Sequence, residues 1–189
     1  MSGGKNVSCF TCISNGDQYG IVARDGIDLQ LLAVEVHDPL SGPALDIDNS
    51  GLSRDGLVII DDMRINLNQS SYAIQLQDVN AEIHGLDLSG DNRGVYWSAG
   101  DSITSYLSTS IISGNGGSCF DIVDHSELLV NNLGLACATG SKPTVESSFV
   151  NFTDSGFIPG TGYETTFHLE SSSHVRWISS SPISDPTFT

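Results

Sequence analysis

The residues able to do chemistry are mostly carboxylates and imidazoles: 17 Asp, 6 Glu and 5 His against 2 Lys and 5 Arg. Asp46 and Asp48 stand two apart. In an extended strand they share a side, about 7 Å apart (two residues at about 3.3 Å each). That falls in the roughly 6.5–9.5 Å range of an inverting glycosidase pair. Asp61-Asp62 and His84 form a second group, in which an Asp–His pair would orient a general base; a turn simply rich in polar residues is the plainer reading. Asp124-His125-Ser126 has the residue types of a catalytic triad. Consecutive residues cannot reach a triad's mutual geometry, so it is discounted. Cys9-x-x-Cys12 with Cys119 and Cys137 has the residue types of a zinc site. Which of these groups meet depends on the elements that carry them.

Two interleaved repeats define those elements. One is apolar–x–x–apolar–x–apolar, read at Val7/Phe10/Cys12, Leu31/Val34/Val36, Ile60/Met63/Ile65, Ile83/Leu86/Leu88, Tyr106/Thr109/Ile111 and Val130/Leu133/Leu135, with a decayed copy at Phe149/Phe152. Its starts are 24, 29, 23, 23, 24 and 19 residues apart. The other is small–apolar–x–apolar, beginning at Gly20, Ala44, Ala73, Gly94, Cys119 and Thr166, with a copy lost near Pro143. The long step occurs in both and marks an insertion over residues 51–56. Period-2 alternation means strands. Short strands at a period of about 23 residues, punctuated by Asp, Asn, Gly and Ser, make the coils of a parallel solenoid with one continuous core. Its inward columns are Ile21, Leu45, Ile74, Val95, Phe120, Phe167 and Ala23, Ile47, Leu76, Trp97, Ile122, Leu169, all apolar. Asp25, Asn49, Asp78, Asp124 and Ser171 then stand in one turn, with Ala99 as the exception. An antiparallel sandwich also has short strands at even spacing. It gives no reason for like residues to recur at a fixed period.

The register sorts the chemistry. Outward on the short strands, Asp46, Gln75, Tyr96, Asp121 and, two coils on, His168 form one polar ladder, with coils about 4.8 Å apart. Carboxylates, an amide and an aromatic ring on a long flat face suit an extended polyol such as a polysaccharide. Asp46 and Asp121 are three coils apart, about 14 Å, too far for a glycosidase pair. Cys9 and Cys119 are roughly 20 Å apart, so the four cysteines do not make one metal site. Cys12 and Cys119 sit at apolar or small positions, ordinary for buried thiols, and a Cys119–Cys137 bridge within one coil is an alternative. Trp97 and Trp177 read as core or end-cap residues. No metal or other cofactor is expected. Calcium at the Asp-rich turns is chemically reasonable, but no EF-hand or Gly-Gly-x-Gly-x-Asp repeat supports it. Sequons at Asn6, Asn68 and Asn151 are close to chance in a chain this rich in Asn, Ser and Thr.

This pattern resembles the right-handed parallel β-helix, or pectin-lyase-like, superfamily, in the style of polymorphic outer-membrane, NosD-type and phage tailspike repeats. The segment from Val7 to Ile21 looks like one of their degenerate coils, and the resemblance covers roughly residues 6–183. It implies an all-β solenoid of about seven coils, with any site on the outward ladder face. The superfamily's polygalacturonase signatures (Asn-Thr-Asp, Gly-His-Gly, Arg-Ile-Lys) are absent. Asp61-Asp62 matches only the paired aspartates, and Arg64-Ile65-Asn66 lacks the Lys. A pectate-lyase site would need calcium carboxylates and a basic residue, and only Arg24 falls on the ladder. The superfold hosts lyases, hydrolases, epimerases and adhesins alike.

A net charge of −16 over 189 residues disfavours nucleic acid and anionic membrane surfaces as partners. No apolar run is long enough for a membrane helix, and no signal peptide is visible at the start. The expectation is a single domain over 1–189 with a polar tail at 179–189, a module of a longer extracellular, cell-surface or virion protein. Flanking domains or oligomerisation would cap the solenoid ends. Two functions stay open. One is a module binding glycans or a protein partner through Asp46, Gln75, Tyr96, Asp121 and His168. The other is a polysaccharide hydrolase or lyase using Asp46, Asp48, Tyr96, Asp121 or His168. A purely structural role is a third reading.

Overall fold

A computed structural model describes residues 6–15, 20–24, 28–37, 42–49, 57–68, 72–90, 93–98, 104–114, 119–125, 127–138, 140–158, 165–178 and 186–189. The expected insertion at 51–56, Asp25, Ala99 and Ser126 lie outside these residues. Among the described residues the regular elements are all strands: β1 (Asn6–Phe10), β2 (Ile13–Asn15), β3 (Ile21–Arg24), β4 (Asp28–His37), β5 (Leu45–Asp48), β6 (Leu57–Asn66), β7 (Ile74–Gln77), β8 (Asn80–Ser89), β9 (Val95–Ser98), β10 (Thr104–Gly114), β11 (Phe120–Val123), β12 (Glu127–Cys137), β13 (Thr144–Glu146), β14 (Phe149–Thr153), β15 (Gly156–Phe157), β16 (Thr166–Glu170), β17 (His174–Ile178) and β18 (Thr187–Phe188). Long and short strands alternate along the chain, and each kind stacks on its own kind. The long sheet runs β1-β4-β6-β8-β10-β12-β14-β17, and the short sheet runs β3-β5-β7-β9-β11-β13-β16-β18. The pairings are parallel. The chain is a parallel β-solenoid of about six turns with a period of about 23 residues, and partial coils stand at its ends.

The apolar–x–x–apolar motif has a backbone cause. Within each long strand one residue is left-handed: Ala33, Asp62, Gly85, Thr109 and Asn132, with φ of 51°, 55°, 69°, 50° and 54°. Thr11 and Asp154 hold the same place in the end coils. That residue bends the strand and puts two consecutive side chains outward, so inward positions resume three residues on. Each long strand thus supplies two sides of a coil, and a short strand supplies the third. The small residue of the second motif is also required by packing. A Cβ at Gly94 would run into the carbonyl of Cys119 in the next coil, and Gly94 has φ of 78°.

The core fills the tube. Trp97, Phe120, Phe152, Phe157 and Phe167 are its largest fully buried side chains. The indole N–H of Trp97 donates to the Val79 carbonyl at 3.0 Å. His125 is also buried, its Nε2–H donating to the Trp97 carbonyl at 3.1 Å and its ring standing edge-on to Trp97 at 5.0 Å. Burial pushes the imidazole down to about 4, so it is neutral in the core.

Both inward columns of the short sheet stand in the expected register. Asp78, Asp124 and Ser171 occupy left-handed turn positions, joined by Ser147. Three copies of the long-strand motif need correction. The inward residues of β10 are Leu107, Ser110 and Ile112, paired with β12; Tyr106 and Ile111 face out, 41% and 48% exposed. At the start the inward set opens with Cys9 and Cys12, and Phe10 is 57% exposed. Near the end it is Phe152, Ser155 and Phe157. The repeat reading is one residue early in β10, two early at the start and three early near the end. In β10 and near the end an inward serine breaks the apolar pattern, and it is as well satisfied as leucine when it bonds a neighbouring coil. Ser110 accepts the Leu86 N–H, and Ser155 accepts the Leu133 N–H, both at 3.1 Å. Of the expected tail, Thr187–Phe188 forms β18 against β16.

Candidate functional site

The outward side of the short sheet carries the predicted ladder. Its paired column runs Val22, Asp46, Gln75, Tyr96, Asp121, Thr144, His168. Thr144 takes the place of the copy lost near Pro143. Alternation on four-residue strands produces this face: each inward apolar pair leaves two outward side chains. The second outward column runs Arg24, Asp48, Gln77, and further along Glu146 and Glu170.

Neighbouring groups on this face engage one another. The Arg24 guanidinium donates to the Asp46 carboxylate at 2.5 Å and to the Asp46 carbonyl at 2.9 Å. That hydrogen bond raises the guanidinium's already high proton affinity. The Asp46 side chain is only 16% exposed. His168 Nε2 lies 3.1 Å from Glu170, at the other end of the face.

Between these pairs is a compact cluster that includes two residues the sequence reading missed. The Tyr72 hydroxyl donates to Asp121 Oδ2 at 2.6 Å, reaching across the intervening strand β9. Arg93 donates to the same hydroxyl at 3.2 Å, and its guanidinium lies 4.4 Å from the centre of the Tyr72 ring. The Tyr72 and Tyr96 rings are 5.5 Å apart at 55°. Burial, then the bond to Asp121, push the Tyr72 hydroxyl well above its ordinary value, so it stays a donor. Two aromatic rings, a cation, a carboxylate and the Gln75 amide meet within a few strands. A signal for the missed pair was present. Tyr72 and Arg93 each precede the small residue of the second motif, in Tyr72-Ala73 and Arg93-Gly94.

Other candidates separate or change partners. Asp46 and Asp121 remain three strand steps apart, about 14 Å, and Asp46 and Asp48 share one strand. At the bend of the long strands, Asp61 pairs in register with His84. Asp62 is instead the left-handed residue, equivalent to Gly85, and its carboxylate is 4.0 Å from Arg64. His84 Nδ1 meets the hydroxyl of Ser108, another residue not singled out from sequence, at 2.5 Å. His125 points into the core, away from any reaction.

The cysteines form two disulfides, Cys9–Cys12 and Cys119–Cys137, with Cα separations of 6.2 and 5.6 Å. Among the described residues, no three His, Cys, Asp or Glu side chains gather as a metal-binding group. Compared with protein-family models, curated proteins and solved structures, the chain matches none.

Proposed function

We propose that the outward face of the short sheet binds glycans, as a β-helix of the pectin-lyase-like kind acting outside the cytoplasm. The carrying observation is the Tyr72–Arg93–Tyr96–Asp121 cluster. Aromatic rings offer apolar faces to the C–H side of a sugar, while the carboxylate and amide bond its hydroxyls. The ladder extends in both directions from the cluster to Asp46 and His168, which suits an extended polymer over a single sugar. Two disulfides support an oxidising compartment. The ion pair of Asp46 with Arg24 favours binding over turnover, because the guanidinium already occupies the carboxylate that would act on a substrate.

A glycan panel tests this, scored for binding and for release of reducing ends or unsaturated products. The expected result is binding to a subset of glycans without turnover, weakened tenfold or more by Tyr96→Ala and by Asp121→Asn while thermal unfolding is unchanged. Binding that both variants retain in full would overturn the reading. Product release abolished by Asp46→Asn or Asp121→Asn would replace it with a hydrolase or lyase on the same face.

A further inference from the structure

We propose that Ser108 is a nucleophile with His84 as its base, forming an ester-hydrolysing site at the bend of the long strands, apart from the short-sheet face. Register and contact carry it together. Asp61, His84 and Ser108 occupy one outward column on the successive strands β6, β8 and β10. The Ser108 hydroxyl meets His84 Nδ1 at 2.5 Å, the contact that activates a serine. Side chains adjacent across a parallel sheet lie about 4.8 Å apart. Asp61 therefore stands one strand step from His84 on the side away from Ser108, from where its carboxylate can turn to orient the ring as a positioning residue. The same three residue types, meaningless as consecutive Asp124-His125-Ser126, acquire triad order when taken one per coil.

The backbone around the nucleophile is fixed. The left-handed residues Asp62, Gly85 and Thr109 follow the three column members, so the column lines the convex corner of the coil. Ser110 bonds the Ser108 carbonyl at 2.8 Å and the Leu86 N–H at 3.1 Å, tying β10 to β8 directly beside the pair. Asn131 follows Ser108 in the same column, an amide donor one strand away for a developing oxyanion. Asp61 and His84 are exposed and Ser108 is half-buried.

In the reaction, Ser108 Oγ attacks the carbonyl carbon of an ester while its proton passes to His84 Nδ1. The bond from that carbon to the alcohol oxygen breaks, and His84 returns the proton to the leaving alkoxide. Water, giving its proton to the same nitrogen, then attacks the acyl carbon; the bond from that carbon to Ser108 Oγ breaks, and His84 returns the proton to Oγ. Ester and water become acid and alcohol, with no redox partner. Asp61 and His84 are exposed at this corner, so the substrate class is a short acyl ester, such as an acetyl group, on an accessible alcohol.

The test uses the full chain, a fluorophosphonate probe and p-nitrophenyl acetate. Expected is one label per molecule, placed on Ser108 by peptide mass spectrometry. Ser108→Ala and His84→Gln should each cut acetate hydrolysis tenfold or more. Asp61→Asn should slow it less, displacing its pH profile as a ring-orienting carboxylate would. Wild type that takes no label, a label on another residue, or hydrolysis undiminished in Ser108→Ala would each overturn the proposal. Because the label is mapped in wild type, a variant that folds poorly does not decide the result.

Discussion

In the first coil the inward corner positions are Cys9 and Cys12, joined as a disulfide across the left-handed Thr11. In the last coils an aromatic cluster fills the tube. Phe167 lies 5.3, 5.4, 5.7 and 5.9 Å from the rings of Phe152, Phe157, Trp177 and Phe188. Around the disulfide, Phe10 and Ile13 are 57% and 63% exposed, whereas Phe152, Phe157 and Phe167 are fully buried. Among the described residues, the strands at each end of the two sheets pair on one side only. A disulfide holds the bend of an end coil without needing buried area, and an aromatic cluster supplies the area. The two ends should therefore fail differently.

The largest effect is expected at the aromatic end. Phe167→Ala should cost about 3–5 kcal/mol of unfolding free energy in denaturant titration. A loss below about 1 kcal/mol would erase the contrast between the ends. Next is the interior bridge Cys119–Cys137, which joins residues 18 apart. Replacing both cysteines with Ala should cost about 3 kcal/mol, since the loop released in the unfolded chain is long.

Acid should act on the interior between the ends. His125 titrates near 4 when folded and near an ordinary histidine value of about 6.5 when unfolded. The unfolded chain thus takes up a proton that the folded chain refuses. This part of the stability is complete above about pH 6.5, declines as pH falls, and levels off below about pH 4. Thermal melts across that window should show the decline, and His125→Asn should flatten it.

Removing Cys9–Cys12 by a double Ala substitution should cost less than about 2 kcal/mol, because the bridge closes so short a loop. Amide exchange should show the loss confined to β1 and β2, leaving β10 protected; faster exchange throughout would make the staple a global one. Smallest is Arg24→Ala, on the short sheet near the same end. Its guanidinium is 41% exposed, so the pair with Asp46 should be worth at most about 1 kcal/mol, read by a double-mutant cycle with Asp46→Ala.

The short-sheet register was legible because two constraints agree there. Alternation sets the face, and a small residue, as at Gly94, marks where the neighbouring coil's carbonyl passes. The long strands carry only the apolar pattern. Tyr106 and Ile111 are apolar on an outward face, while Ser110 is polar on an inward one, so composition pointed one residue astray. Tyr72 was invisible as a partner of Asp121 because the contact spans two coils and depends on how a long side chain lies across the sheet. His84 was visible, but its partner Ser108 was one serine among 28 until the register selected it.

By itself the sequence determined the coil period, the parallel stacking and the outward ladder of Asp46, Gln75, Tyr96, Asp121 and His168. These follow from which backbone positions must be apolar, small or turn-forming, and such requirements repeat in every coil. Only the tertiary structure decided the cysteine pairing, the Tyr72–Arg93–Asp121 cluster and the His84–Ser108 contact. Those depend on the distance and direction of individual side chains across coils, about which a periodic pattern carries no information.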